Sequence, residues 1–207
     1  SLVTRRNSVY LAGVILFVYG IEFVGITTGW PYGEFSYGIS LGPMSYGIPL
    51  ALPLLFLPIV INAYVFTLHT LRSRSRSVFT RVIVVVSVIM AIDLVLDPGA
   101  VELGFWSYHA GGEYYDVPVS NYLGWVLSGT ISALAIDRML PRRRVLERLE
   151  ECEFFLDDFI SFIILWGAIN AIYGNWIPVG IAVMLGTGLV YSGSYELPSV
   201  RERVDSA

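Results

Sequence analysis

Residues 78–97 read VFTRVIVVVSVIMAIDLVLD, and this stretch decides the fold class. It has the length and composition of a membrane-spanning helix, which needs about 20 mainly apolar residues. It also carries two acids, Asp93 and Asp97, whose i, i+4 spacing places them on one helical face. Carboxyl groups are costly at membrane depth and are functional candidates there. The stretch therefore predicts a transmembrane helix with a site on one face.

Five more apolar runs lie outward from this helix along the chain. Together the runs predict an all-α, polytopic bundle of about six spans in a single integral membrane domain, residues 1–207. No small-residue cleavage site follows the first run, so we expect an anchor there and not a removed leader. The predicted spans are Ser8–Thr28, Tyr46–Thr67, Val78–Asp97, Tyr122–Met139, Phe154–Tyr173 and Ile177–Tyr191.

The charged residues fix the predicted orientation. All 13 basic residues are arginines, and with six spans every one falls on the same side of the membrane. By the positive-inside rule this side is cytoplasmic. We therefore expect a multi-pass cell-membrane protein with both termini in the cytoplasm. The arginines that set this orientation are Arg5, Arg6, Arg72, Arg74, Arg76, Arg81, Arg138, Arg142, Arg143, Arg144, Arg148, Arg201 and Arg203.

Two absences exclude whole classes of membrane protein. The chain has no lysine, so it cannot form the Schiff base of a retinal protein. Its only histidines are His69 and His109, too few for a membrane di-iron oxygenase. We predict no metal site, no nucleotide or redox cofactor and no nucleic-acid partner. The lipid bilayer is an expected partner, whereas the oligomeric state is not readable.

A third acid lies at the same predicted depth as the pair on the central helix. Asp93 is roughly 8 Å, and Glu22 roughly 10 Å, below the outer ends of their helices. Asn121 and Asn170 fall near this level on two further helices. No basic residue is predicted there, so at least one of Glu22 and Asp93 is expected to hold a proton, as in a catalytic acid/base pair. Alternatively, each polar group only braces neighbouring helices.

The two outer loops are rich in aromatic residues, which allows two interpretations. The rings could form the interfacial belt common in membrane proteins, or they could roof a site above the acids. Small residues (Gly25 and Gly29, then Gly124, Ser128 and Ser132) predict close helix packing. The prolines Pro49, Pro53 and Pro58 predict a kinked second span. The rings that we predict to contact substrate are Tyr37, Tyr46, Trp106, Tyr114, Tyr115 and Trp125.

Two long stretches of this sequence resemble the carotenoid hydratases, a family whose archaeal branch serves bacterioruberin synthesis. They are EFVGITTGWPYGEFSYGISLGPMSYGIPLALPLLFLP (22–58) and AIDLVLDPGAVELGFWSYHAGGEYYDVPVSNYLGWVLSG (91–129). The resemblance covers the first four spans best. Its most specific part is D-x-x-x-D-P, a tryptophan, and then Y-Y-x-V-P-x-x-N-x-x-G-W. The matching positions are Asp93, Asp97, Pro98, Trp106, Tyr114, Tyr115, Pro118, Asn121, Gly124 and Trp125.

The resemblance implies an enzyme that adds water across the terminal isoprene double bond of a carotenoid or other long isoprenoid. Such a reaction needs an acid, a surface that stabilises a cation, and a base for water, the only co-substrate. We predict Glu22, Asp93, Asp97 and Asn121 as catalytic residues, near the non-cytoplasmic side. Two alternatives stay open: a lycopene-type cyclase, which begins with the same protonation, and a proton-coupled transporter.

Overall fold

The computed structural model describes residues 5–149 and 156–192, and most of them fold into helices. In chain order the helices are α1 (Arg5–Thr28), α2 (Leu52–Leu71), α3 (Val78–Glu102), α4 (Val119–Met139), α5 (Arg142–Leu149), α6 (Asp157–Tyr173) and α7 (Trp176–Tyr191). A short 3₁₀ helix, Arg72–Arg76, joins α2 to α3. The all-α prediction is confirmed. Residues 154 and 155 of the predicted fifth span, together with Arg201 and Arg203, lie outside the described residues.

Within the described ranges, four helices are long and apolar enough to cross a membrane: α1, α2, α3 and α4. Helices α6 and α7 have only 17 and 16 residues. At 1.5 Å per residue each is about 25 Å long, slightly less than the roughly 30 Å hydrocarbon core. By length and composition, four helices are therefore capable of spanning a membrane. The six-span count stays a prediction.

Helix α3 lies at the centre of the bundle. It packs against α2, α4, α6 and α7, while α1 packs against α2 and α4. The buried side of α3 is mostly β-branched and aliphatic, with Val85, Ile89 and Ile92 almost fully buried. A helix that is apolar on most of its faces belongs in the interior of a bundle. Its position brings every other long helix except α1 directly against it.

The second span begins later than predicted. Residues 46–51 do not belong to α2; they include Ile48–Pro49, strand β3 of a small hairpin with β2 (Met44–Ser45). Pro49 therefore lies outside the helix, and Pro53 lies in its first turn, where no hydrogen bond is lost. Only Pro58 is inside α2. Pro49 and Pro53 therefore mark the start of the helix, while Pro58 removes a hydrogen bond from its interior, so a kink in the second span stays a prediction.

The two ends of the bundle differ in composition. At one end, which we call the aromatic end, α1 and α3 finish and α2 and α4 begin. The two aromatic-rich loops, residues 29–51 and 103–118, lie at this end. These loops are joined by strands β1 (Phe35–Tyr37) and β4 (Trp106–Tyr108), which pair antiparallel. At the arginine end lie Arg5, the 3₁₀ helix, the connection from α4 to α5, and α5 itself. Arg142 donates to the carbonyl of Arg72 across this end, 2.6 Å away.

Candidate active site

Three buried carboxyl groups gather near the aromatic end. Glu22 of α1 is 8% exposed, and Asp93 and Asp97 of α3 are 1% and 2% exposed. Asn121 begins the first turns of α4 and faces the aspartates. Its amide nitrogen donates to Oδ2 of Asp97 and, at 3.4 Å, to Oδ2 of Asp93. The structure thus brings Asp93, Asp97 and Asn121 into direct contact.

The two aspartates also interact with each other. They lie one turn apart on α3, and the amide of Asn121 donates to one oxygen of each. Two neighbouring carboxyl groups that share one donor repel each other when both are ionised. The other oxygen of Asp93, Oδ1, is buried and has no hydrogen-bond partner among the described residues. Asp93 therefore faces the interior of the protein, behind Asp97.

Two tyrosine hydroxyls from the loops donate to the carboxyl groups. Tyr37 of β1 donates to Oε1 of Glu22 at 2.5 Å, and Tyr108 of β4 donates to Oδ2 of Asp97 at 3.1 Å. Burial, and then the neighbouring carboxyl, raise the pKa of Tyr37 and of Tyr108 well above the ordinary value. Both hydroxyls therefore keep their protons and act as donors. The paired strands thus supply one hydroxyl donor to Glu22 and one to Asp97.

A cavity opens between the acids and the loops, with about 740 Å³ of empty space including its mouth. Of the three acids, Glu22 and Asp97 line it, whereas Asp93 does not. The other lining residues are apolar, aromatic or uncharged: Val18, Ile21, Tyr32, Phe35, Tyr37, Leu41, Leu52, Leu55, Phe56, Ile59, Leu96, Trp106, Tyr108, Asn121 and Trp125. No arginine or histidine belongs to this lining. Two carboxyl groups from different helices therefore face one apolar space without a basic partner.

Aromatic rings make up much of the cavity wall. On the β1–β4 ribbon, Phe35 pairs with Tyr108, and Tyr37 pairs with Trp106. The rings of Tyr37 and Trp106 meet edge to face, with centroids 6.4 Å apart. Below them, the rings of Phe56 and Trp125 stack at 5.3 Å. Ring faces of this kind attract cations by about 0.5–2 kcal/mol each.

The small residues of α1 and α4 make room for a ring. A Cβ on Gly25 would lie 3.0 Å from the ring of Tyr32, and one on Gly124 would lie 2.4 Å from it. Tyr32 is thus inserted between α1 and α4 and reaches the cavity wall. Gly29 follows α1 with φ +75°, a conformation that favours glycine. The predicted close approach therefore occurs between helices and a loop residue.

Three of the six predicted substrate-contacting rings lie outside the cavity. Tyr114 donates to the carbonyl of Leu94 at 3.2 Å, and the hydroxyl of Tyr115 accepts from the backbone nitrogen of Ile177 at 3.3 Å. Tyr46 is 87% exposed and meets Phe23 edge to face. The other three, Tyr37, Trp106 and Trp125, line the cavity. Asn170, expected near the acids, bonds to the carbonyl of Val95, between Asp93 and Asp97 on α3, and does not line the cavity.

Sequence reasoning missed several lining residues, chiefly Tyr32, Phe35, Phe56 and Tyr108. A signal was present for the ribbon. FSY at 35–37 and WSY at 106–108 both alternate aromatic, serine, aromatic, which in a strand places the two rings on one face. Aromatic pairs across two strands stabilise such a ribbon. No local pattern marks Phe56, which lies in an unbroken apolar run.

The carotenoid biosynthesis proteins are the class that this combination of membrane-length helices and sequence indicates. The sequence profile of the family described as "Carotenoid biosynthesis protein" matches residues 1–189. The chain therefore belongs to this family. A relative from Haloarcula japonica, named "Bisanhydrobacterioruberin hydratase", is 45% identical over 207 residues, which are all of this chain and 70% of the relative. No solved structure matches the chain.

Proposed function

We propose that this chain is a carotenoid hydratase that adds water across a terminal isoprene double bond and forms a tertiary alcohol. Membership of the family and the name of the Haloarcula japonica relative support the activity. The observation that carries the chemistry is the placement of Glu22 and Asp97 on one apolar, ring-lined cavity. An alkene needs such surroundings, because water must be scarce until the cation forms. No cofactor is required, and water is the co-substrate.

The first step is protonation of the alkene by a carboxylic acid. The π electron pair of the double bond forms a C–H bond with the proton at the less substituted carbon. The more substituted carbon becomes a tertiary cation. We assign the proton to Glu22, because it faces the cavity and Asp93 does not. Tyr37 donates to Oε1 of Glu22, which leaves Oε2 to carry the proton.

The second step is capture of the cation by water. The oxygen of water bonds to the tertiary carbon, and a carboxylate takes the released proton. Return of this proton to the acid that protonated the alkene restores both groups, so the sum is the addition of one water. We assign this base to Asp97. Asn121 and Tyr108 both donate to its Oδ2, which suits an ionised acceptor. Asp93 then supplies the proton of the Asp93–Asp97 hydrogen bond and stays behind the base.

The rings of the wall stabilise the cation between the two steps. Tyr37 bonds to Glu22, the ring of Trp106 meets that of Tyr37, and Trp125 lines the same cavity. The whole reaction centre is at the aromatic end, opposite the arginines. We therefore infer six spans, including the short α6 and α7, with the arginine end and both termini in the cytoplasm. The cavity then lies towards the non-cytoplasmic side of the cell membrane.

Expression in a strain that accumulates lycopene tests the activity. Chromatography and mass spectrometry should find a pigment heavier by one water for each hydrated end. An isomeric pigment with no mass gain would identify a cyclase instead. The same test is made in a strain that produces bisanhydrobacterioruberin, the compound in the relative's name. If the pigment is unchanged in both strains, the proposal is wrong, and a transport role becomes the next hypothesis to test.

A further inference from the structure

The helical turn that carries both aspartates contains a proline. Pro98 directly follows Asp97 inside α3, and it has no N–H to donate to the carbonyl of Leu94, four residues earlier. Leu94 directly follows Asp93. The aspartate pair therefore flanks a stretch of backbone that lacks one of its own helical hydrogen bonds. Without another donor, the direction of the two side chains would be poorly fixed.

Two side chains from distant parts of the chain bond to this turn. The hydroxyl of Tyr114, in the loop before α4, donates to the carbonyl of Leu94 at 3.2 Å. It replaces the donor that Pro98 lacks. Asn170 of α6 donates through Nδ2 to the next carbonyl, that of Val95, at 2.7 Å. Neither Tyr114 nor Asn170 lines the cavity.

Asn170 is itself held in place by further contacts. It is fully buried, and its Nδ2 also donates to the carbonyl of Trp166 at 2.8 Å. Its Oδ1 accepts from Nδ2 of Asn175, the residue before α7, at 3.1 Å. A Cβ added at Gly99 would lie 3.0 Å from Trp166 and 3.2 Å from Asn170, so glycine allows α6 to approach α3 here. The α6–α7 hairpin is thus fastened to α3 beside the acids.

We propose that Asn170 and Tyr114 are positioning residues of the hydration reaction. They hold the Pro98 turn so that Asp97 points into the cavity and Asp93 points at Asp97. This inference rests on the proposed function. It also gives the α6–α7 hairpin a role in chemistry that takes place on other helices. A displacement of about 1 Å at a reacting group can cost up to about a hundredfold in rate.

Asn170→Leu tests the proposal, because leucine is similar in size and cannot donate. We expect kcat per folded protein to fall about tenfold to a hundredfold, with an unchanged KM, because the cavity wall is intact. The matched control is Asn62→Leu. Asn62 is also buried and also bonds to α6, through Asp158 at 2.7 Å, but it does not line the cavity. Its loss should lower stability and leave kcat within about twofold.

A second test does not depend on how well Asn170→Leu folds. Tyr114→Phe keeps the ring and removes the donor, and it should lower kcat about threefold to tenfold. Pro98→Ala restores a backbone N–H for the carbonyl of Leu94. In that background the Tyr114→Phe change should have little further effect, as a double-mutant cycle would show. A loss of the same size in both backgrounds would show that Tyr114 does not act through this carbonyl.

The outcomes separate this inference from the activity itself. If the unaltered chain forms no hydrated pigment, the proposed function fails. If the unaltered chain hydrates, and Asn170→Leu resembles Asn62→Leu in kcat, the positioning role is overturned and Asn170 only braces α6. A rise in KM with unchanged kcat would also overturn it, because the turn would then affect binding and not the reacting groups.

Discussion

Buried carboxyl groups occur at both ends of the bundle, but their partners differ. At the arginine end, Asp137 of α4 is held by Arg81 of α3 through two contacts, Nε to Oδ1 at 2.5 Å and Nη2 to Oδ2 at 2.8 Å. Tyr64 of α2 donates to Oδ1 as well, at 3.0 Å. At the aromatic end, the donors to Glu22, Asp93 and Asp97 within the described ranges are two tyrosine hydroxyls and one amide.

Under the proposed function, the difference separates a structural acid from reactive ones. The guanidinium of Arg81 pairs with Asp137, and three helices are joined through this carboxylate. Among the residues that the structure describes, the acids at the aromatic end have no arginine or histidine bonded to them. We therefore expect the acid at the arginine end to stabilise the fold and the acids at the aromatic end to take part in the reaction. Each prediction below tests part of this contrast.

The largest effect is expected for the two acids that face the cavity. Glu22→Gln and Asp97→Asn should each lower hydration by a factor of about 10²–10⁴, the usual cost of losing an essential acid or base. Protein yield and helicity should not change, because the amides can still form hydrogen bonds. Pigment analysis of cells, normalised to purified protein, measures both quantities. Near-normal hydration by both variants would refute the site assignment.

Asp93→Asn should have a smaller effect than Asp97→Asn. Asp93 lies behind Asp97, and an asparagine there can still donate to the Asp97 carboxylate. We expect at least about tenfold more residual activity than in Asp97→Asn. Measuring the two variants side by side in the same membranes checks this order. The reverse order would make Asp93 the proton donor to the alkene and would contradict the mechanism given above.

At the arginine end we expect a loss of stability and not of chemistry. Asp137→Asn leaves the Arg81 charge buried, which should cost roughly 3–5 kcal/mol in the free energy of unfolding. Activity per folded molecule should stay the same. Replacing both partners, as in Arg81→Met with Asp137→Leu, should recover much of the stability. Thermal denaturation in detergent measures the loss of stability in Asp137→Asn. A loss of turnover per folded molecule without a loss of stability would contradict the contrast between the two ends.

A moderate effect is expected for the ring wall. Trp106→Ala removes a ring beside the cation, and a loss of about 0.5–2 kcal/mol corresponds to roughly a twofold to thirtyfold drop in turnover. Trp106→Phe keeps a ring and should lose less. Initial rates in isolated membranes distinguish the two. Equal losses in both variants would point to the indole N–H or to packing in place of a cation–ring contact.

The smallest effect is expected for an aromatic residue of the same loops outside the cavity. Tyr115 bonds to the backbone of Ile177, so Tyr115→Phe should change turnover by less than about twofold. Its matched partner is Tyr37→Phe, which removes the donor to Glu22 and should reduce turnover clearly more. Rates of both variants with the same pigment decide the point. A larger loss at Tyr115 would extend the site towards α7.

Local patterns in the sequence were enough for the long helices and for the acids. Apolar runs gave α1, α3 and α4 to within a few residues, and the i, i+4 spacing gave the shared face of Asp93 and Asp97. Local patterns could not predict the pairing of residues that are far apart in the sequence. The alternation in FSY is typical of a strand, but nothing near residue 35 identifies β4, more than 60 residues later, as its partner. The contacts that hold Tyr46, Tyr114 and Tyr115 outside the cavity are also made with residues distant in the sequence.

The two interpretations of the aromatic loops apply to different residues. Trp106 and Tyr37 face the cavity, as a roof would. Trp30 and Trp176 are 60% and 69% exposed, as expected of interfacial anchors. Composition alone could not divide them, because both roles use the same rings. The division depends on the direction of each side chain, which the β1–β4 pairing and the helix ends determine.

The pairing of β1 with β4 has a consequence for protein engineering. The ribbon joins two loops that are far apart in the sequence, and their backbones approach closely where they cross. A Cβ at Gly38 would lie 2.3 Å from the carbonyl oxygen of Gly104. Any side chain at position 38 will therefore clash with the other loop unless that loop also changes. Substrate range should be altered by exchanging both loops together, as one cassette from a single relative.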